Sequence, residues 1–302
     1  MKSGRDWESI SNIKLVLVSY LNTYPLVWGL KKLFKKGKGP EIILCPPSHG
    51  SRLLMEGKVD IALVPSITYL NCNTPFEVLP FGIISRKEVD TVLLVGNASI
   101  ENWERIFLDE DSLSSIELTK ILFQIKNRKI EFIDGIREIE NLDENSGALI
   151  IGNKCFKWAQ NFSWCYDLSK LWFDFTGLPF VFAIVLARPE IGKDYLLTAY
   201  DLIDKVIRVG IENIAQVVED WLLEYPHEIK LKKRSYYYSY LKNKIFYNIN
   251  REAILGLKKF YSINKKILPE EKAIKLSNEY FRMYDPAFGK ESDSIKGKDE
   301  NS

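Results

Sequence analysis

Short apolar runs alternate with polar segments that have the features of helix starts. Residues 13–18, 41–45 and 60–64 have the length and the β-branched content of buried strands. Each run is followed by hydroxyl residues or proline and then by a segment with helical periodicity. Three such units in succession predict a parallel sheet whose strand-to-helix loops gather along one edge.

The same alternation continues and then restarts near residue 99, which indicates a second lobe. We expect an α/β fold with lobe 1 formed by residues 13–95 and 180–285 and lobe 2 by residues 96–179. Polar tails are expected at 1–12 and 286–302, and crossing strands should leave a cleft between the lobes. The further predicted strands are 78–85, 91–95, 106–108, 129–133, 147–151 and 180–187, and the predicted helices are 26–34, 49–56, 116–123, 166–175, 193–224, 235–241, 251–261 and 270–283.

The loop after the first strand is the strongest single indication of a ligand site. Ser19, Tyr20, Asn22 and Thr23 supply hydrogen-bonding groups without a fixed charge, and Pro25 suits the first turn of the helix that follows. In open α/β sheets ligands bind at this edge, where free helix N–H groups face them. Ordinary helix capping explains the same residue types, so both interpretations stay open.

Composition excludes several classes of partner. Lys and Arg number 42 against 40 Asp and Glu, so no excess charge requires nucleic acid or an acidic membrane. The first twelve residues lack the apolar core of a signal peptide, and no apolar run is long enough to span a membrane, so we expect a cytoplasmic protein. The four cysteines lack metal-ligand spacing, which favours reduced, buried thiols. The aromatic run at 236–238 is better explained by helical core packing than by base stacking.

Several segments together carry a family resemblance. They are SYLNTYPL at 19–26, GKVDIALVPS at 57–66, SLSS at 112–115, IG at 151–152, YDL at 166–168 and TGLPFVFA at 176–183. In this order they resemble the chorismate dehydratases of the futalosine route to menaquinone, over about residues 13–261. The resemblance implies a type II periplasmic-binding-protein-like fold used as an enzyme, namely a lyase that converts chorismate into 3-[(1-carboxyvinyl)oxy]benzoate without a metal or organic cofactor.

Three positions depart from the pattern of that family. Tyr24 stands where relatives commonly carry a basic residue, Asn153 where Asp is usual, and Thr91 where Ser is frequent. The first two leave the substrate contacts in question. The sister family, which makes 1,4-dihydroxy-6-naphthoate in the same route, shares the fold, but its opening loop differs from SYLN. It therefore ranks below the dehydratase.

The implied reaction assigns roles to the loop residues. Chorismate is a dianion whose dehydration makes its ring aromatic, so the protein must mainly hold the dianion and stabilise charge on the ring carboxylate. Asn22 is the catalytic candidate, orienting the departing hydroxyl or a carboxylate. The carboxylate-binding candidates are Ser66, Ser112, Ser114 and Ser115, and the further substrate-binding candidates are Ser19, Tyr20, Thr23, Ser85, Asn153, Thr176 and Gly177. Helix termination is an equally good explanation of Thr176 and Gly177.

The general base is not identified by any motif. The chain has two histidines, His49 and His227, and a surface position is the favoured interpretation of both. Our hypothesis is that the side-chain carboxylate of the substrate takes the ring proton. The alternative from another class is a cytosolic protein that binds a small anion without converting it. The oligomeric state stays open, with a homodimer as one alternative.

Overall fold

The structure is a computed structural model that describes residues 11–35, 38–136 and 139–263, with the side chain of Ile229 left out. The helix expected at 270–283 and the C-terminal tail expected at 286–302 lie outside these residues, as does most of the tail expected at 1–12.

The first part of the chain alternates strand and helix. Its elements are β1 (Lys14–Val18), α1 (Tyr24–Leu33), β2 (Glu41–Cys45), α2 (Pro47–Met55), β3 (Ile61–Pro65), α3 (Ser66–Asn71) and β4 (Glu77–Ser85). The middle part has β5 (Val92–Gly96), β6 (Arg105–Leu108), α4 (Leu113–Ile125), β7 (Glu131–Asp134), β8 (Ser146–Ile151), α5 (Lys154–Trp158), β9 (Trp164–Asp167) and α6 (Leu168–Thr176). The last part has β10 (Phe180–Ala187), α7 (Lys193–Glu212), α8 (Ile214–Glu224), α9 (Arg234–Asn243), β11 (Phe246–Asn248) and α10 (Arg251–Ile263).

Two mixed sheets, each flanked by helices, organise these elements. The six-stranded sheet has the order β11-β4-β10-β3-β1-β2 and the five-stranded sheet the order β7-β6-β8-β5-β9. We call the first sheet with α1–α3 and α7–α10 lobe 1, and the second sheet with α4–α6 lobe 2. The strands β1, β2 and β3 pair in parallel, as do β6, β7 and β8, while β10, β11 and β5 pair antiparallel with their neighbours.

The chain passes between the sheets at two adjacent points. It leaves the six-stranded sheet after β4 and returns to it through β10, and these strands pair antiparallel with Phe180 opposite Ser85. All eight residues of β10 are buried, as the unbroken apolar run predicts. The two crossings therefore lie side by side at one end of this sheet, next to the gap between the lobes.

Several local predictions are corrected by hydrogen bonding that a single-chain pattern does not contain. Residues 92–95 were expected in lobe 1, but β5 pairs with β8 and β9 of the five-stranded sheet. Residues 166–167 belong to the strand β9, where they pair with Leu94 and Leu93 of β5. The Asp167 side chain accepts the Lys170 N–H, and the helix starts at Leu168, two residues later than expected. The helix expected over 193–224 is divided between α7 and α8 at Asn213. The short strand β11 was not predicted.

The described residues bear on the predictions about membrane spans and about cysteine burial. None of the helices that they form combines the length and the apolar character needed to cross a bilayer. Cys45, Cys72 and Cys155 are buried as expected, whereas Cys165 is exposed, which corrects that prediction. Cys165 lies on β9, an edge strand that pairs with β5 alone, so one side of β9 is not covered by a neighbouring strand.

Candidate functional site

A cavity of about 40 Å³ lies between the two lobes, at the carboxyl ends of β1 and β3. The first crossing segment, residues 86–91 between β4 and β5, and the loop after β8 complete its wall. It is lined by Val18, Tyr20, Asn22, Pro47, Pro65, Ile83, Val89, Thr91, Val92, Ser112, Ile151, Gly152, Phe182 and Ala183. This position agrees with the rule that ligands of open α/β sheets bind beyond the strand ends.

The wall of this cavity is almost free of titratable groups. Its polar side chains are those of Tyr20, Asn22, Thr91 and Ser112, and Tyr20 alone of the residues described there can change its charge. Burial, followed by the nearby carboxylates of Asp111 and Asp109, raises the pKa of the Tyr20 phenol above its ordinary value. The cavity therefore presents neutral donors and acceptors at neutral pH.

The loop after β1 positions Asn22. Residues Leu21–Thr23 form one turn of 3-10 helix, and α1 begins at Tyr24 with Pro25 in its first turn. The Asn22 side-chain oxygen accepts the Thr23 hydroxyl at 3.1 Å, and its backbone carbonyl accepts the hydroxyl of Tyr247 at 2.8 Å. Contacts from a distant part of the chain thus hold this turn in place.

Hydrogen bonds join the lobes around the cavity. The Leu21 N–H donates to the side-chain oxygen of Asn153 at 3.1 Å, and the Ile67 N–H donates to the Ser114 hydroxyl at 3.1 Å. Ser114 also lies 3.2 Å from the Ser66 hydroxyl. In the contacts of Leu21 and Ile67 a backbone donor at a helix start of lobe 1 meets a neutral oxygen from lobe 2.

Tyr20 of lobe 1 and Gly152 of lobe 2 pack against each other across the cavity. Gly152 has φ +64°, and a Cβ at this position would lie 2.7 Å from the Tyr20 ring. The absence of a side chain therefore lets the ring lie against the backbone of the other lobe. The Tyr20 hydroxyl is buried near the Asp111 carboxylate, without a hydrogen bond of good geometry to any described residue.

A serine cluster and an ion pair stand at the start of α4. The hydroxyls of Ser112 and Ser115 are 2.7 Å apart, and both residues are buried. The buried Asp109 carboxylate contacts the Lys154 ammonium at 2.9 Å, and Asp111 lies 3.4 Å from the same nitrogen. This lysine is therefore neutralised within lobe 2 rather than directed into the cavity.

The structure brings most, but not all, of the predicted site residues together. Tyr20, Asn22 and Ser112 line the cavity, while Ser66, Ser114, Ser115 and Asn153 lie beside it in the hydrogen bonds just described. Thr23 is buried with its hydroxyl on Asn22, and the Ser19 N–H donates to the carbonyl of Cys45. Their roles toward a substrate remain predictions.

Three further predicted residues belong neither to the cavity wall nor to the contacts just described. The Ser85 hydroxyl donates to the carbonyl of Glu88 within the first crossing turn, at 2.8 Å. The Thr176 hydroxyl donates to the Trp172 carbonyl at 2.8 Å and accepts the Leu178 N–H at 3.1 Å. Gly177 ends α6 with φ +69°. These contacts match the helix-termination alternative for Thr176 and Gly177.

The residue that departs from the family pattern before Pro25 faces away from the cavity. Tyr24 is buried and packs toward α8, where burial, followed by Glu224, raises the pKa of its phenol. It is not part of the cavity wall. A tyrosine here therefore leaves the cavity lining unchanged.

Both histidines lie on the surface. His49 is exposed on α2, and the His227 side chain is 69% exposed in the turn after α8. Neither lines the cavity. Within the ranges that the structure covers, no cluster of three or more histidine, cysteine, aspartate or glutamate side chains has the arrangement of a metal site.

Sequence reasoning missed residues late in the chain that contact the residues of the cavity wall. Tyr240 lies 2.8 Å from the Thr91 hydroxyl, and Tyr247 contacts the Asn22 carbonyl. Both tyrosines follow position 230, where the pattern indicated only packed helices. Gly152 was quoted in a motif, but the need for a glycine there arises from Tyr20 of the other lobe.

Comparison with known proteins gives one family. A family model described as menaquinone biosynthesis matches residues 13–266. A chorismate dehydratase from Thermus thermophilus is 28% identical over 194 residues, which cover 58% of this chain and 70% of that protein. A chorismate dehydratase from Campylobacter jejuni is 31% identical over 170 residues, which cover 56% of this chain and 60% of that protein.

Solved structures show the fold. A protein from Archaeoglobus fulgidus superposes with a TM-score of 0.69 at 14% identity, covering 84% of this chain and 97% of that one. A Candida albicans protein with the generic periplasmic binding protein fold has a TM-score of 0.62 at 12% identity, covering 88% and 94%. The aliphatic sulphonate binding protein of Escherichia coli has a TM-score of 0.60 at 11% identity, covering 88% and 91%. The predicted two-lobed, periplasmic-binding-protein-like α/β fold is confirmed.

Proposed function

Because this chain belongs to the menaquinone biosynthesis family, with residues 13–266 matched, we propose that it is a chorismate dehydratase. The proposed reaction converts chorismate into 3-[(1-carboxyvinyl)oxy]benzoate and water. The names of its two curated relatives support this substrate. A cytoplasmic location is part of the same proposal.

The observation that carries the proposal is the chemistry of the cavity wall. A dehydration driven by aromatisation needs a pocket that holds a dianionic substrate and leaves the carboxylates of that substrate free to react. The wall offers the Asn22 amide and the hydroxyls of Thr91 and Ser112, without a lysine, arginine or carboxylate among the residues described there. Neutral donors bind carboxylates without the proton transfer or tight ion pairing that a cation would bring.

No histidine, lysine or carboxylate is among the described residues of the cavity wall, so the proposed mechanism takes its base from the substrate. The ring C–H bond beside the ether oxygen breaks, and the substrate's side-chain carboxylate takes the proton. The electron pair is delocalised through the diene onto the ring carboxylate, whose charge the neighbouring hydroxyl donors stabilise. The C–O bond to the ring hydroxyl then breaks, and the departing hydroxide takes the proton back from the side-chain carboxyl to leave as water while the ring becomes aromatic. Asn22 orients this hydroxyl in the proposal.

Substrate binding requires the lobes to separate. The cavity of about 40 Å³ is far below the roughly 150 Å³ that holds a single benzene ring. Chorismate therefore enters when the hydrogen bonds of Asn153 and Ser114 across the gap are broken. In the proposal, its carboxylate oxygens then take over the N–H groups of Leu21 and Ile67, which these side chains occupy in the closed form.

The test is incubation of the purified protein with chorismate, followed by ultraviolet absorbance and mass spectrometry of the product. We expect an aromatic product lighter than chorismate by one water. Binding without conversion would favour the anion-binding alternative, and a naphthoate product from a later intermediate of the same route would favour the sister family. The absence of both binding and conversion of chorismate would overturn the dehydratase proposal.

Two variants then test the residue roles. Asn22→Asp places a negative charge against a dianion, so we expect turnover to fall by at least 100-fold. His49→Ala alters an exposed residue outside the cavity, and we expect turnover close to that of the wild type. A near-complete loss in His49→Ala would contradict the assignment of the proton transfer to the substrate carboxylate.

A further inference from the structure

Tyr240 on α9 joins three parts of the protein that meet at the cavity. Its side chain is 1% exposed, and its hydroxyl lies 2.8 Å from the hydroxyl of Thr91, a wall residue on the first crossing segment. The side-chain amide of Asn22 lies close enough to this phenol oxygen to lower its pKa against the larger raising effect of burial. The hydroxyl of Tyr240 thus stands between a crossing segment and the catalytic candidate.

The Asn22 amide lies beside this contact. An amide carries two N–H donors and an oxygen with two lone pairs. Thr23 uses one lone pair of the oxygen at 3.1 Å. A hydrogen bond from Asn22 that lowers the pKa of the Tyr240 phenol is one that only the amide nitrogen can donate. One donor and one lone pair remain, and Asn22 lines the cavity where a substrate binds.

The ring of Tyr240 is in turn held by lobe 2. Phe156 on α5 is 1% exposed and lies edge-on to Tyr240 with ring centroids 5.7 Å apart. Its other neighbours are Trp221, Tyr236 and Tyr237, at centroid distances of 6.5, 5.9 and 5.1 Å. Phe156 comes three residues after Asn153, whose side chain contacts Leu21 across the gap. The segment from Asn153 into α5 therefore makes two contacts. Asn153 contacts Leu21 in the loop that carries Asn22, and Phe156 contacts the ring of Tyr240.

We propose that Tyr240 is a positioning residue, whose hydroxyl orients the Asn22 amide and the Thr91 hydroxyl toward the substrate while its ring is packed against Phe156. The catalytic consequence rests on the proposed function, since it concerns the reaction at that site. The orientation of Asn22 by Tyr240 does not depend on which small anion is bound.

Tyr237 supplies a matched control on the same helix. It is fully buried, its ring packs against the same Phe156 ring at 5.1 Å, and its hydroxyl donates one hydrogen bond, to the Glu228 carbonyl at 2.8 Å. Glu228 is not part of the cavity wall. Tyr240→Phe and Tyr237→Phe therefore each remove one buried, hydrogen-bonded hydroxyl while keeping the aromatic ring.

The experiment compares turnover of chorismate and thermal unfolding for the two variants and the wild type. We expect similar decreases in Tm for both variants, because each loses one buried, hydrogen-bonded hydroxyl. In Tyr240→Phe we expect kcat to fall about 10- to 100-fold with KM changed less than threefold, since a misaligned group costs rate more than affinity. Tyr237→Phe should keep the wild-type kcat. Equal kcat values for the two variants would overturn the proposal.

A second measurement separates this proposal from the proposed function. Crystal structures of both variants would show whether the Asn22 amide keeps its orientation. We expect it to rotate or become disordered in Tyr240→Phe and to remain unchanged in Tyr237→Phe. An unchanged amide in Tyr240→Phe would overturn the positioning role, even if the wild type converts chorismate. A wild type that fails to convert chorismate overturns the proposed function, while the crystal structures still decide the role of Tyr240.

Discussion

The side-chain oxygen of Asn153 in lobe 2 accepts the backbone N–H of Leu21 in lobe 1 at 3.1 Å. Asn153 precedes α5, and Leu21 opens the 3-10 turn that leads into α1. An amide oxygen suits this place because it satisfies the donor without adding negative charge to a gap that receives a dianion. The contact therefore ties the lobes together in the absence of a ligand.

Asn153→Ala should favour an open form of the ligand-free protein. The substitution removes the acceptor of the Leu21 N–H, and a hydrogen bond of this kind is worth about 1 kcal/mol, so the ratio of closed to open molecules should fall roughly fivefold. Small-angle X-ray scattering should show a larger radius of gyration. Asn153→Asp keeps the acceptor and should retain the compact profile. Identical profiles for Asn153→Ala and the wild type would contradict the prediction.

Gly152→Ala should hinder closure, because the new Cβ would lie 2.7 Å from the Tyr20 ring. Gly177→Ala is the stability control, since its φ of +69° is similar but nothing lies within 4 Å of the added carbon. We expect both variants to lose about 1 kcal/mol of unfolding free energy through backbone strain. Gly152→Ala should in addition bind chorismate more weakly in calorimetry. Equal affinities in Gly152→Ala and the wild type would rule out a role of this contact in binding.

Ser114→Ala should destabilise the protein more than Ser66→Ala. Ser114 accepts the Ile67 N–H at 3.1 Å in a buried position, and its loss leaves that donor unsatisfied at a cost of about 1–3 kcal/mol. Ser66→Ala removes the 3.2 Å contact between the two hydroxyls but leaves the Ile67 bond intact, so we expect a loss below about 1 kcal/mol. Urea unfolding of the two variants measures the difference. The opposite order would mean that Ser66 provides the more important contact.

Asp167 should make stability fall as the pH rises from about 4 to about 6. Burial raises the pKa of this carboxyl to about 6 from an ordinary 3.8, although the backbone N–H groups of Val89, Asp90 and Lys170 act in the opposite direction. The folded state therefore holds the proton of Asp167 more tightly than the unfolded state. The stabilisation of the folded state that comes from this proton is complete below pH 4 and is lost as the pH passes 6.

Asp167→Asn removes this titration and is the control. The unfolding free energy of the wild type relative to the variant should fall by up to ~3 kcal/mol between pH 4 and pH 6. Urea unfolding at several pH values gives the two slopes. Parallel pH profiles would show that the carboxyl does not titrate in this range.

Hydrophobic patterning was sufficient for most of the secondary structure. The strands β1 to β4 and the fully buried β10 have apolar runs whose length and side chains are typical of strands, and proline and serine mark the helix starts after β2 and β3. The same pattern could not assign β5 to its sheet, because an apolar run does not identify its hydrogen-bond partner. It also missed β11, whose three residues carry too little periodicity to be recognised.

The local sequence determined that Ser19–Asn22, Ser66 and Ser112–Ser115 lie where strands or loops lead into helices, because capping and turn chemistry depend on neighbouring residues. Only the tertiary structure decided which of these loops meet. The contact of Tyr247 with the Asn22 carbonyl joins residues 225 positions apart, and that of Tyr240 with Thr91 joins residues 149 positions apart. The need for glycine at 152 exists only because Tyr20 packs against it. Such contacts depend on how the two chain segments that run between the sheets set the sheets relative to each other. No short stretch of sequence contains that information.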